Sequence, residues 1–318
     1  MSEGEMLIIK VPGSSANLGP GFDSLGLALN AYLTLEIEKA DKWEVVPLSA
    51  QLTAFPKDEK NFIFQIAMET AARYDQKLPG CTIRMSSDIP LARGLGSSAA
   101  AIVAGIELAD SLCQLQLTKQ EKLELATSIE GHPDNVGASI FGGLVIGCQL
   151  EEGVYVETFS NLELDAVVVI PKQELLTKDS RDVLPEEFSY KKAVQAGAIG
   201  NVLVAALLNH NYTLVGKMMK ADLYHQPYRN VLVPHLELIE EEAAKLGVFG
   251  VALSGAGPTV LCLTEKGMGD AVATGLSEVL PEMEYRCLKV DQNGSSVFSS
   301  ERNGIGSFEA CSMHPTTI

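Results

Sequence analysis

The chain has 318 residues and a mass of 34.0 kDa, enough for two domains at about 150 residues each. Hydrophobic residues make up 46% and charged residues 20%, a globular balance that excludes a disordered or fibrous chain. Lys and Arg number 24 against 41 Asp and Glu, and the resulting net charge of −17 repels nucleic acid and anionic lipid.

Residues 7–11 form a short β-branched run that stops at Pro12-Gly13, which predicts a first strand. Residues 13–23 are rich in small and turn residues and read as a loop. Residues 32–38 alternate apolar and polar side chains as a half-buried strand, and residues 43–47 look like its partner. Phe62, Ile66, Ala67 and Thr70 fall at helical spacing within residues 61–74, and residues 81–85 alternate again as a strand. A Gly-rich turn at 90–98 precedes an apolar helix at 99–113. Thr118 with Glu121 three residues on matches a capping box, opening a helix that runs to about Glu130 and stops at Gly131-His132-Pro133. Residues 142–148 read as a strand.

The second half predicts a strand at 165–170, then helices near 191–209, 213–223 and 234–246. Strands at 248–253 and 259–264, a helix at 267–280 and a last strand at 284–290 follow. This split β-α-β order is that of ferredoxin-like domains and points to an α+β fold. A soft boundary near residue 160 divides the chain into 1–160 and 161–298, with residues 299–318 as a flexible tail. The apolar helix at 193–208 is too short for a bilayer and reads as a core helix. Cys81, Cys113, Cys148, Cys262, Cys287 and Cys311 form no Cys-x-x-Cys pair and read as free thiols of a reducing compartment. The N-terminus carries no signal-peptide pattern, so a cytoplasmic protein is expected.

Four stretches carry chemistry. In Pro90-Leu91-Ala92-Arg93-Gly94-Leu95-Gly96-Ser97-Ser98-Ala99-Ala100, glycines let the backbone approach a ligand and the following helix start offers free N–H groups to phosphate. A plain Gly-rich helix cap is the competing reading. It is neither a Walker P-loop nor a dinucleotide fingerprint, because the lysine of the one and the third glycine of the other are absent. Glu130-Gly131-His132-Pro133-Asp134-Asn135 gathers a carboxylate, an imidazole and an amide at a break in structure. Glu124, on the preceding helix, would complete a Mg²⁺ site with Ser98 if it faces the phosphate loop; otherwise it is a solvated helix residue. Ser254-Gly255-Ala256-Gly257-Pro258-Thr259 is small enough to pack on another loop or a ligand. Arg181 and Arg229 each precede a leucine by three residues in a Pro-ended turn, where a guanidinium suits a carboxylate, although surface arginines would look the same.

Three stretches, in this order, resemble the GHMP kinase superfamily: residues 11–23, the Gly94–Ala100 loop and residues 254–259. The likeness covers residues 6 to 298. Ser15-Ala16-Asn17-Leu18-Gly19-Pro20-Gly21-Phe22-Asp23, Glu130 to Asn135, Thr177 with Arg181, and Tyr228-Arg229 are similar to the homoserine kinase branch. The resemblance implies an N-terminal domain with a left-handed β-α-β unit and a ferredoxin-like C-terminal domain. It implies ATP-dependent phosphorylation of the hydroxyl of L-homoserine on the path to threonine. ATP would lie along residues 90–100 with Asn61 near the adenine, and Mg²⁺ on Ser98 and Glu124. Arg181 and Arg229 would hold the substrate carboxylate. Asn17, Asp23, His132, Asp134, Asn135, Thr177 and Gly255 would surround the rest of the substrate. Asn135 would orient the hydroxyl, with Asp23 as the alternative proton acceptor. A homodimer is plausible. Another small-alcohol kinase of the superfamily, or a non-catalytic metabolite sensor on the same scaffold, remain the rival readings.

Overall fold

Alternating apolar side chains build the first sheet. β1 (Glu5–Asn17) and β2 (Gly21–Lys39) run antiparallel, with Leu7 opposite Ile37, Ile9 opposite Leu35 and Val11 opposite Leu33. All six are buried in one core with Phe64 and Ile66 of α1 (Phe62–Arg73) and Ile102 and Ile106 of α2 (Ser97–Cys113). The computed structural model describes residues 5–301. α2 is apolar on nearly every face, as a central helix must be.

β3 (Glu44–Pro47) does not pair with β2 as expected from its pattern. It lies parallel to β4 (Cys81–Ser87), and β4 occupies the place beside β2. Met85 and Ile83 there face Leu35 and Ile37, so the better-buried strand takes the inner position. Residues 13–23 are also not a loop throughout. Gly13 to Ala16 continue β1 against β2 past a register shift, and only residues 18–20 form the turn.

The capping box forms as predicted and opens α3 (Lys119–Glu130). The break that follows is short, because Pro133 starts a further helix, α4 (Pro133–Phe141), at the first helical position that proline favours. β5 (Leu144–Leu150) then pairs with β2, and β6 (Gly153–Phe159) with β5.

The second sheet starts with β7 (Leu164–Ile170), buried along its whole length. Four helices follow: α5 (Thr177–Asp182), α6 (Tyr190–Leu208), α7 (Tyr212–Lys220) and α8 (Gln226–Arg229). Then come α9 (Leu236–Lys245), β8 (Gly250–Leu253), β9 (Val260–Glu265), α10 (Gly269–Val279) and β10 (Glu284–Lys289). The antiparallel order β10-β7-β9-β8 is that of a ferredoxin-like sheet. α6 departs from its expected core role. It is long and apolar enough to cross a membrane, yet it buries only Ala196, Leu203, Ala206 and Leu207, and Tyr190 is 87% exposed.

The chain finally returns to the first sheet. β11 (Ser296–Glu301) pairs antiparallel with β1, so residues 299–301, expected in the tail, are strand. Asp291 fixes this return by accepting from Tyr32 Oη, Asn293 N and Gly294 N. Residues 302–318, the rest of the expected tail and Cys311 with it, lie outside the described residues. The five described cysteines are free thiols, and burial pushes those of Cys81 and Cys262 up to about 12.

Candidate active site between the two sheets

Three segments meet: the end of β1, the turn at residues 90–96 and the turn at residues 254–258. Gly94 lies so close to residues 254–257 that a Cβ there would sit 2.2 Å from Ser254 O. Ser254 Oγ donates to Gly94 O at 2.6 Å and lies 2.8 Å from Ser15 Oγ, while Gly255 N donates to Ala16 O. The three motifs separated in sequence therefore touch one another. Asn17, Leu18 and Asp23 adopt left-handed backbone, which is uncommon outside glycine and marks a held conformation.

A cleft of about 440 Å³ opens over this junction. One end is apolar, lined by Leu52, Phe55, Phe62, Met85 and Leu91. Asn61 borders it, but its side chain is engaged as the N-cap of α1, accepting from Ile63 N and donating to Pro56 O. The middle is lined by Ala92, Gly94, Gly96, Ser97 and Ser98 at the start of α2. Gly96 caps that helix in left-handed backbone with no side-chain cap, so the first N–H groups are left for an anion. Pro90, Leu95, Ala99 and Ala100 are buried behind the cleft surface. Arg93 does not line the cleft; its guanidinium donates to Pro171 O, Lys172 O and Leu91 O and pairs with Glu174.

The other end is polar. Arg181 pairs with Asp23 through two bonds of 3.2 and 2.8 Å. Arg229 is only 2% exposed, and Nη1 donates to Gly255 O and His225 Nδ1 while Nε donates to Ser180 O. Both guanidinium groups approach the Phe22 ring, at 5.4 and 5.3 Å. Burial, aided by the charge of Arg181, pushes Arg229 down to about 10. Because Arg229 can only donate, His225 must carry its proton on Nε2, which donates to Gly19 O at 3.0 Å. Burial holds His225 neutral, pushed down to about 4. Asn17 Nδ2 donates to Gly255 O, and its Oδ1 accepts from Asp23 N.

At the start of α4, Asp134 Oδ1 accepts from Asn135 N at 2.6 Å and lies 2.5 Å from His132 Nδ1. Asn135 Oδ1 accepts from Ser14 Oγ at 2.8 Å. Burial opposes the charge on His132, but the hydrogen bond and charge of Asp134, with Asp23 and Glu130, raise its pKa. Asp23, His132 and Asp134 bring three ligand atoms within 4.8 Å of one another. Their charges are already matched by Arg181 and within the His132–Asp134 pair, so they read as an ion-pair network. Thr177 opens α5, four residues before Arg181.

Glu124 requires a correction. It is exposed on α3, accepts from Gln120 Nε2 and does not line the cleft. Six residues on, Glu130 does line it, and Ser98 Oγ donates to Glu130 Oε2 at 3.3 Å. The six-residue offset is 1.7 turns, which puts the two carboxylates on different faces of α3. Burial raises the Glu130 carboxyl, a sign of a negative charge with too little compensation. Glu130 stood in the sequence motif but without a role. Ser14, Phe22 and His225 were likewise missed, although Phe22 adjoins Asp23 and His225 lies one helical turn before Arg229.

The N-terminal half matches the model "GHMP kinases N terminal domain" over residues 61–143, and the C-terminal half matches "GHMP kinases C terminal" over residues 203–282. A homoserine kinase of Bacillus licheniformis is 51% identical over 308 residues, covering 96% of this chain and all of its own. A homoserine kinase of Bacillus velezensis is 51% identical over 96% of this chain and 98% of its own. The crystal structure of homoserine kinase from Cytophaga hutchinsonii superposes with a TM-score of 0.80 at 28% identity, covering 94% of this chain and 99% of its own. With both family models and relatives about half identical over nearly the whole of each chain in agreement, the chain belongs to the homoserine kinase family of the GHMP kinases, ATP-dependent small-molecule kinases.

Proposed function

We propose that this protein transfers the γ-phosphoryl group of ATP to the side-chain hydroxyl of L-homoserine. The observation that carries this reading is the Asp23–Arg181 pair beside the buried Arg229, across the cleft from the open start of α2. An amino acid brings one carboxylate and one ammonium, the complement of one arginine–aspartate pair. The substrate exchanges partners with that pair: its carboxylate takes Arg181 and Arg229, and its ammonium takes Asp23. Arg229 Nη2 makes no hydrogen bond among the described residues and is available for this contact. The buried positive charge of Arg229 gains most from a carboxylate, because few other groups there compensate it.

The apolar end of the cleft suits an adenine ring, and the N–H groups at Gly96 to Ser98 suit the phosphates. Ser98 and Glu130 are oxygen ligands 3.3 Å apart, and burial raises the Glu130 carboxyl beyond what His132 and Arg181 offset, so the pair would fit Mg²⁺. Bound there, Mg²⁺ would neutralise phosphate charge. Phosphoryl transfer has a loose transition state, so alignment and charge contribute more than a strong base. Asn135, fixed by Ser14 and Asp134, orients the acceptor hydroxyl, since an amide cannot remove its proton near neutral pH. Asp23 is engaged by Arg181 and the substrate ammonium and serves binding.

An ADP-release assay with Mg-ATP tests this against L-homoserine, D-homoserine, L-serine, mevalonate and galactose. Turnover should strongly favour L-homoserine. Preference for mevalonate or galactose would discard the acceptor assignment while leaving the ATP cleft in place.

A further inference from the structure

Arg93 sits within the nucleotide loop, between Ala92 and Gly94, yet its side chain serves another element. Nε donates to Pro171 O at 3.0 Å, Nη2 to Lys172 O at 2.8 Å and Nη1 to Leu91 O at 3.2 Å, and Nη1 lies 3.2 Å from Glu174 Oε1. The Arg93 side chain is 16% exposed: its bonds to Pro171 O and Leu91 O are partly buried, while the bond to Lys172 O and the pair with Glu174 lie at the surface. Pro171 and Lys172 begin the segment that joins β7 to α6 and carries α5. That segment is exposed at most positions. Further along, Leu175 packs against the second core and Phe188 stacks on Tyr224, while hydrogen bonds and an ion pair tie it at Ser180, which bonds Ala256 O and Arg229, and at Arg181, which pairs with Asp23. The segment is thus held at its start by the nucleotide loop and at α5 by the acceptor end of the cleft.

We propose that Arg93 is a positioning residue that couples the two halves of the active site. It is not a phosphate ligand: it fixes the start of the 171–182 segment to the loop that receives the nucleotide, and thereby sets Arg181 for the acceptor. When phosphate orders residues 92–96, Arg93 passes that order to the segment, and the acceptor binds more tightly. By reciprocity the acceptor strengthens nucleotide binding by the same factor. This inference rests on the proposed placement of the acceptor at Arg181 and Arg229. Lysine at this position keeps the charge but loses the planar fork that reaches three carbonyls.

The test compares wild type with Arg93→Lys, each checked for an unchanged thermal unfolding midpoint, with Glu174→Gln as a second variant that leaves the loop intact. The Kd of L-homoserine is measured with and without a non-hydrolysable ATP analogue and Mg²⁺. Wild type should bind L-homoserine about 5- to 10-fold tighter with the analogue, and R93K should lose that factor to within about two-fold. By that reciprocity the KM for L-homoserine at saturating ATP and the KM for ATP at saturating L-homoserine should each rise about five-fold or more in R93K, while the affinity for the ATP analogue without L-homoserine stays within about two-fold; E174Q should show a smaller change in the same direction. A raised KM for ATP with an unchanged KM for L-homoserine would make Arg93 a phosphate ligand and overturn the proposal. An unchanged coupling factor in R93K would overturn it too. Amide exchange over residues 177–183 gives an acceptor-independent readout: the analogue should slow it in wild type and not in R93K. Equal slowing in both would overturn the coupling role, even if L-homoserine proved to be the wrong acceptor.

Discussion

Glu124 and Glu130 lie on the same helix and differ in what surrounds them, so a pair of glutamine variants separates their roles. Glu124 is exposed and, among the described residues, accepts a hydrogen bond from Gln120 Nε2, so Glu124→Gln removes one surface contact worth at most about 0.5 kcal/mol. Glu130 borders the cleft, is bonded by Ser98 and carries a carboxyl whose pKa is raised by burial. Replacing it removes a full charge beside Ser98, where a contact to a bound Mg²⁺ would contribute several kcal/mol. A loss of about 3–4 kcal/mol corresponds to a 10²- to 10³-fold drop in kcat. The assay is ADP release at saturating L-homoserine over a Mg²⁺ titration, with unfolding midpoints measured in parallel. Glu130→Gln should lower kcat by that factor and shift the Mg²⁺ requirement upward; Glu124→Gln should do neither. Equal damage from both variants, or greater damage from Glu124→Gln, would refute the assignment.

Arg229→Lys keeps a charge but leaves Ser180 O, Gly255 O and His225 Nδ1 without their shared fork. The KM for L-homoserine should rise about 10- to 100-fold, the equivalent of about 1.5–3 kcal/mol for a charged hydrogen bond, with the KM for ATP little changed. His225 is held neutral in the fold, pushed down to about 4, while an unfolded histidine protonates near pH 6.5. Its stabilisation is therefore complete above pH 6.5 and is lost as pH falls from there toward 4. By linkage the loss reaches about 3 kcal/mol, and His225→Gln should flatten the fall in midpoint over that range. Thr118→Ala removes a capping box far from the cleft and should cost about 1 kcal/mol, visible as a lower midpoint at unchanged kcat.

Much of this protein follows from local pattern. The capping box at Thr118 and the apolar faces of β2 and β4 depend on residues near one another in sequence, where spacing dictates which side chains share a face, and the succession of strands and helices in the second half is legible in the same way. The three glycine-containing motifs signalled the cleft because each needs a backbone that only small residues allow. What spacing could not reach were choices made between distant segments. The position of β3 outside β4 depended on which strand fills the core beside β2. The return of β11 to β1 joins the two ends of the described chain, across a sequence distance on which no local rule acts. Glu130 rather than Glu124 faces Ser98 because the rotation of α3 is set by its packing under α2 and α4, and the pattern of α3 alone leaves both open. Arg93 likewise belongs by sequence to the nucleotide loop and by contact to the segment bearing Arg181. The residue types present were the sequence's own determination; which of them share one cleft was decided by the tertiary packing of the two sheets.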